Sequence, residues 1–585
     1  MKLWRAIPNL PLLRKELVEQ AMRKRTYVVR TAYALTLFLF CGIYLYGEFD
    51  RYRASAHLML GRGRDMFLIL VMIQMAGIYL FLPAMMAGVI TQEKQRNALV
   101  LLMVTDLRPW EIVLQKLGAR LVPMFSFLLL SLPLLAIAYA FGGVTADTVW
   151  SAILVAFIAC LQVGACAIMW SAFCQSTASA YLLTYVMLAA LYFGPICAYV
   201  TLRGLRAMRW FRGIEESLLG MCPPFVLGDS LQGNQSVGDI ALKCIPLVIT
   251  ILIFLIAARH FLVRRAMTPP RNLLRAMFRW LDRLFQRMNA ITGGVVLVKE
   301  RSEISDQRPV AWRELHSRAM GQFRYLVRLL VVLEVPVFIV CAAVIMAGRT
   351  YGTSEELSVL VFLLWPIAAL LLSVQAVSAF VAERSRQTLD VLLTTPLSGR
   401  QIVVEKMAPL RRLSLVLAIP LLTVMCVEAW WESSTGGLGR YRDESTVHFV
   451  ACFGLTLLIY VPLTVWLSAW IGLRSRSPAR AIITAVSTMV VWCVGPITLM
   501  ILLAETFRWS FAREPSVLLC LLSPALIVPF NEFSQMGRLS RPVWLAIAVN
   551  FAWYGAIAAF IRWWCLRNAD RLLGRVAEEV GQEQS

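Results

Sequence analysis

Charge is scarce in this sequence. Only 16% of its 585 residues are Asp, Glu, Lys or Arg, while 59% are hydrophobic and the mean hydropathy is +0.68. Soluble domains carry about 25% charged residues. The polar residues here cannot cover several soluble cores, and the apolar share excludes intrinsic disorder. Histidine is scarcer still. His57, His260, His316 and His448 are scattered and form no HExxH pair, so no metal site is expected. No CxxC occurs among the 13 cysteines, and most, such as Cys41, Cys160, Cys166, Cys341, Cys452 and Cys493, lie inside apolar runs. They read as small core residues rather than disulfides or metal ligands. No GxxxxGK[ST] is present, so this chain has no loop of that kind to cradle a nucleotide phosphate. No catalytic Ser/His/Asp set can be assembled. The expectation is a chain that is not an enzyme and binds no cofactor or metal of its own.

What is present is long apolar runs. A membrane-spanning helix needs about 20 mostly apolar residues, and twelve such runs can be read. The first half holds them at about 31–47, 66–90, 120–141, 150–173, 178–200 and 240–262. The second holds them at about 329–348, 358–381, 413–430, 448–472, 481–505 and 543–565. The fold expected is an all-α polytopic membrane protein, with Trp430, Trp431, Trp563 and Trp564 in interfacial belts at span ends.

Basic residues outnumber acidic ones, 57 to 35, giving a net charge of +22. No nucleic-acid motif accompanies this excess, so nucleic acid is not an expected partner. Basic loops facing the cytoplasm and anionic lipid explain it better. Lys2, Arg5, Arg14, Lys15, Arg23, Lys24, Arg25 and Arg30 precede the first apolar run, which argues against a secretory signal and for a cytoplasmic N-terminus. An even number of crossings returns the C-terminus to the same side. The loop at 142–149 has no Lys or Arg, as an outside loop should. Loops 201–239 and 506–542 carry several Arg residues and oppose the bias. Between the halves, Arg271, Arg275, Arg279, Arg283 and Arg287 recur every four residues beside Leu274, Phe278, Leu281 and Phe285. That spacing predicts a basic amphipathic helix on the cytoplasmic leaflet.

The halves repeat each other. Pro11, Glu16, Leu17, Ala21, Met22, Tyr27, Val29 and Arg30 recur as Pro309, Glu314, Leu315, Ala319, Met320, Tyr325, Val327 and Arg328, at a constant offset of 298. After the second span the offset is 290. Glu93, Arg96, Leu99, Leu102, Thr105, Leu107, Ile112, Val113 and Lys116 pair with Glu383, Arg386, Leu389, Leu392, Thr395, Leu397, Ile402, Val403 and Lys406. Gly194-Pro195 matches Gly495-Pro496 later on. The reading is a duplicated six-span unit in parallel orientation. Residues 1–262 form the first half, 263–308 a cytoplasmic linker and 309–585 the second half.

The segment after the second span of each half places Leu99, Leu102 and Met103, or Leu389, Leu392 and Leu393, at helical spacing behind a charged stretch. This predicts a short amphipathic helix at the cytoplasmic surface, closed in the second half at Thr395-Pro396. A second short helix runs to Lys116 or Lys406. The stretch from Glu383 through Thr388-Leu389-Asp390, Leu392-Leu393 and Thr395-Pro396 to Lys406 resembles the characteristic segment of ABC-2 type transporter permeases. Pro11 to Glu16 and Pro309 to Glu314 resemble the amphipathic helix that opens members of that family. The first half departs from the pattern with Asn97-Ala98, Val100 and Asp106 where the second has Gln387-Thr388, Asp390 and Pro396.

The resemblance implies the permease subunit of an ATP-binding-cassette exporter in the cell membrane, the inner membrane of a bacterium. Its partner would be a cytoplasmic ABC ATPase subunit, in two copies, carrying the ATP, with membrane lipid around the permease. The ATPase would dock on coupling helices bearing Glu93, Arg96, Leu99, Leu102 and Lys116, and Glu383, Arg386, Leu389, Leu392 and Lys406. Short re-entrant helices are implied near Cys222-Pro223-Pro224-Phe225 and Ser523-Pro524 to Phe530. Within the spans, Glu334 is either a structural carboxylate with a partner or part of a translocation path. Gln74, Gln162 and Gln375 are expected to bond between helices. The alternative reading is an ATP-independent twelve-span secondary carrier, disfavoured because intramembrane charge is sparse.

Overall fold

The computed structural model describes residues 10–22, 24–51, 61, 63–95, 98–105, 107–204, 220–232, 235–265, 308–317, 323–351, 355–385, 388–435, 442–475, 477–506, 523–533 and 541–575. Among them the secondary structure is helical, with no strand. The first half of the chain contributes α1 (Pro11–Ala21), α2 (Lys24–Arg51), α3 (Gly63–Met86), α4 (Gly88–Gln95), α5 (Ala98–Val104), α6 (Pro109–Ala140), α7 (Ala146–Phe173), α8 (Thr177–Gly204), α9 (Pro223–Gln232), α10 (Val237–Lys243) and α11 (Ile245–Arg265). The second contributes α12 (Pro309–Ser317), α13 (Phe323–Tyr351), α14 (Glu355–Ser385), α15 (Leu389–Leu393), α16 (Gly399–Lys406), α17 (Ala408–Thr435), α18 (Arg442–Arg474), α19 (Pro478–Thr506), α20 (Pro524–Phe533), α21 (Arg541–Arg567) and α22 (Ala569–Leu573).

Each of the twelve expected spans falls on helical residues, with 66–90 shared between α3 and α4 and 240–262 between α10 and α11. Ten helices among the described residues are long and apolar enough to cross a bilayer, with α3–α4 and α16–α17 each counted as one. The other two places hold shorter apolar stretches, Arg30–Tyr46 in α2 and Thr177–Tyr192 in α8. Prolines sit inside several spans, among them Pro83, Pro123, Pro195, Pro336 and Pro496. Span helices tolerate them because neighbouring side chains re-satisfy the freed backbone groups. At Pro83 the carbonyl left without its helical donor is that of Tyr79, and the Tyr185 hydroxyl of α8 donates to it at 2.9 Å. The break between α3 and α4 at Ala87 is bridged by another hydroxyl. Ser171 of α7 donates to the Ala87 carbonyl at 2.9 Å and accepts from the Ile90 and Thr91 amides at 2.9 and 3.3 Å.

Two compact units divide the chain. The first includes the helices within residues 10–199 and 220–265, the second those within 308–497 and 523–575. In the first, α7 is the buried hub, packed on α3, α6, α9 and α11, while α2 packs on α6. In the second, α18 packs on α14, α17, α20 and α21, and α13 packs on α17. Span for span these pairings correspond, so the sequence repeat is also a packing repeat. Polar side chains join helices inside each unit. Gln74 donates to Ser131, and Gln162 donates to Thr250 and accepts from Tyr192 at 2.9 Å. Tyr460 donates to Asn550 across α18 and α21. The basic stripe from Arg271 to Arg287 lies outside the described residues, as do Arg96 and Arg386. The two proline-rich stretches expected to form short helices do so, as α9 and α20; Pro223 opens α9.

Candidate functional site

In the first unit the chain leaves α3–α4 at Gln95, forms α5 and re-enters the long helix α6 at Pro109. Lys94, in the last turn of α4, donates to the carbonyls of Ala172 and Cys174 at the end of α7. A cation there satisfies carbonyls that have no partner within the helix. Where α1, α4 and α6 meet, an ion cluster forms around a buried lysine. Lys116 of α6 is 2% exposed and sits 3.0 Å from Glu16 Oε1 of α1 and 3.3 Å from Glu93 Oε1 of α4. Arg120 lies 3.9 Å from the other Glu16 oxygen. One residue before the lysine, Gln115 accepts from the Leu12 and Leu13 amides at 3.0 and 3.2 Å. The orphan N–H groups at the start of α1 are thereby capped from α6.

The second unit builds the same cluster from the repeated residues. Lys406 of α16 is 1% exposed, 2.6 Å from Glu383 Oε2 of α14 and 3.7 Å from Glu314 Oε1 of α12. Arg313 adds the second cation at 3.5 Å from Glu383. Glu405 stands where Gln115 does and accepts from the Val310 and Ala311 amides at 2.9 and 3.0 Å. Ser398 and Gln401 form a reciprocal capping box that starts α16. In both units, then, a lysine held between two glutamates ties three elements together: the opening amphipathic helix, the end of the second span and the start of the third.

This geometry separates the expected contact residues into two kinds. Lys116, Lys406, Glu383, Leu99, Leu389 and Leu392 face inward and are buried; Glu93 and Leu102 are half-buried. They hold the segment in place. The side chains turned outward are others: Leu101 at 72% exposure, Val104 at 76% and Val391 at 69%. Leu101 and Val391 are equivalent by the 290-residue offset. Helical spacing alone showed an apolar stripe but not that a second apolar face remains open on the opposite side. Isolated buried charge would be costly; here each buried lysine has two carboxylates and each cluster a further arginine, so the charges are compensated where they stand.

Elsewhere the expected residues have quieter surroundings. Glu334 of α13 accepts a hydrogen bond from Thr423 of α17, inside the second unit. A second carboxylate that sequence reading passed over, Glu428, is buried further along α17 and accepts from Ser358 at 3.3 Å. Burial pushes the Cys222 thiol up from its ordinary range, which fits a core residue rather than a nucleophile. Among the described residues no group of three or more His, Cys, Asp or Glu could hold a metal ion.

Residues 247–524 match the family model described as ABC-2 family transporter protein. That stretch takes in α11 to α19, including the whole second surface segment and its ion cluster. No curated protein matches the chain.

Proposed function

We propose that the chain is an ABC-2 type permease, the transmembrane subunit of an ATP-driven exporter whose ATPase is a separate cytoplasmic protein; the match of residues 247–524 to the ABC-2 family transporter model supports this reading. The observation that carries this reading is the pair of anchored surface segments. Each is braced by a buried lysine held between two glutamates and offers apolar residues outward, Leu101 and Val104 in one and Val391 in the other. A braced helix transmits a push; a loose one absorbs it. The brace joins the second and third spans of its unit, so displacement of the segment reaches both. Two such segments fit two copies of the ATPase. The chain itself supplies no catalytic group and holds no cofactor, and ATP resides on the partner. The location is the inner membrane of a bacterium, with both termini cytoplasmic, as the basic N-terminal segment supports.

Nucleotide can drive reorientation only if the two transport states bind the ATPase dimer differently. The test is purification of the full chain from its own membranes in mild detergent, with wild type beside Leu101→Asp and Val391→Asp. Wild type should bring down an ATPase with vanadate-sensitive activity. Each charged substitution should weaken capture by about tenfold or more, as expected for a charge placed in an apolar contact. Wild type that carries no ATPase under any condition would remove the motor and favour the secondary-carrier reading.

A further inference from the structure

The second surface segment has a clamp of its own, built from residues that follow the last span. α21 ends at Arg567, Asn568 turns the chain, and α22 carries it to Gly574 in the left-handed region at φ 102°. Glycine is the residue that adopts this conformation without strain. The turn brings Arg575 back across α15. Its guanidinium donates to three carbonyls of the segment: Leu393 at 2.6 Å, Thr395 at 2.7 Å, and Leu397. These are carbonyls at and beyond the end of α15, which the helix itself leaves without partners. Asp570 accepts the Gly399 amide at 2.8 Å, at the first turn of α16, where a carboxylate is favoured by the helix dipole. The approach is close: a Cβ at position 399 would stand 2.4 Å from the Asp570 carboxylate. Arg384, at the end of α14, donates to the Leu572 carbonyl. Ala569 and Leu573 are buried beneath these contacts.

Two charged side chains therefore hold opposite ends of the turn between α15 and α16. Asp570 sits on the short helix α22, which follows α21 after the turn at Asn568, and Arg575 stands just past its left-handed C-cap, Gly574. We propose that residues 569–575 form a latch that couples the second surface segment to the last span, with Arg575 as its positioning residue. Arg575 sets the orientation in which Val391 and its neighbours are offered to a docking partner. Through α22 it also carries displacement of the segment into α21, a route additional to the Lys406 cluster. A planar five-donor guanidinium suits three diverging carbonyls; a lysine could satisfy only part of the set. This inference rests on the docking reading for its purpose but not for its geometry, and the experiment keeps the two apart.

Hydrogen exchange of the full chain in detergent micelles reads the latch directly. Wild type is compared with Arg575→Ala, Arg575→Lys and Asp570→Asn, following amides of 389–398 and, as an internal control, of 98–104. Arg575→Ala should speed exchange in 389–398 by about tenfold to a hundredfold, from loss of charge-assisted hydrogen bonds to backbone. Arg575→Lys should recover part of the protection, and 98–104 should not change. Unchanged exchange in 389–398 overturns the latch. Faster exchange in both segments overturns it too, because that would mark general loosening. Capture of the ATPase is scored on the same samples, together with its stimulated activity. Arg575→Ala should retain a measurable share of the bound ATPase yet lose most of the stimulation. Equal stimulation at equal occupancy would refute the coupling role even if exchange responds. If wild type captures no ATPase, the docking reading fails while the exchange result still decides the latch.

Discussion

Lys116 and Lys406 show how a charged residue can be essential without facing a partner. Each is almost fully enclosed and each touches two carboxylates from different elements. In sequence, a lysine ending a surface segment reads as a contact for something outside. In the fold, its ammonium group is the joint between helices. The consequence can be tested on stability. Lys406→Met leaves Glu314 and Glu383 facing each other without their buried cation, and removing one partner of a buried ion group costs about 3–5 kcal/mol. Thermal unfolding in a single detergent should show a clear fall in midpoint. Combining Lys406→Met with Glu314→Gln and Glu383→Gln removes the uncompensated charge and should restore most of the loss. A single substitution that melts like wild type would mean the lysine is not enclosed in the cluster at all.

At the scale of elements, the two units perform one attachment with different chemistry. Gln115 and Glu405 each accept two amides from the first turn of the amphipathic helix that opens their unit. The acceptor oxygen is common to both; the negative charge is not. Glu405→Gln therefore places in the second unit what the first already uses, and stability should change by less than about 1 kcal/mol. Glu405→Ala removes the acceptor from two buried donors and should cost about 1–3 kcal/mol for each amide left unsatisfied. Protease cutting near 309–317 should accelerate in the alanine variant alone. Equal sensitivity in both variants would show that the charge, rather than the acceptor, secures α12. The helices themselves follow from apolar runs whose breaks are met by neighbouring hydroxyls, Tyr185 at the Tyr79 carbonyl freed by Pro83 and Ser171 at Ala87.

For the whole molecule, much of the fold is legible in the sequence, and the reasons are physical. Span helices must satisfy their own backbone, so twenty apolar residues admit little besides a helix, and all twelve runs fall on helices. Duplication at offsets of 298 and 290 carries Glu16, Glu93 and Lys116 to their counterparts, and the structure brings those three residues together in each unit. Periodicity could not tell which apolar face of α5 and α15 turns inward, because both faces carry leucine or valine; Leu101, Val104 and Val391 emerged only from packing. Arg575 and Asp570 lie well over a hundred residues from the carbonyls and amide they hold, and no local spacing announces such a partnership. The repeat carries a prediction about topology. The twelve-span reading counts six crossings between Thr105 and Thr394, and so predicts that the two surface segments open to one side of the membrane and the Lys- and Arg-free turn at 142–149 to the other. In intact cells, a membrane-impermeant maleimide should label Asp147→Cys but neither Thr105→Cys nor Thr394→Cys, each measured against the native thiols. Opening the membrane should bring both threonine positions into reach together. Labelling of Thr394→Cys from outside while Thr105→Cys stays protected would require an odd number of crossings between them. The units would then be inverted rather than parallel, and a single ATPase dimer could not engage both segments from the cytoplasm.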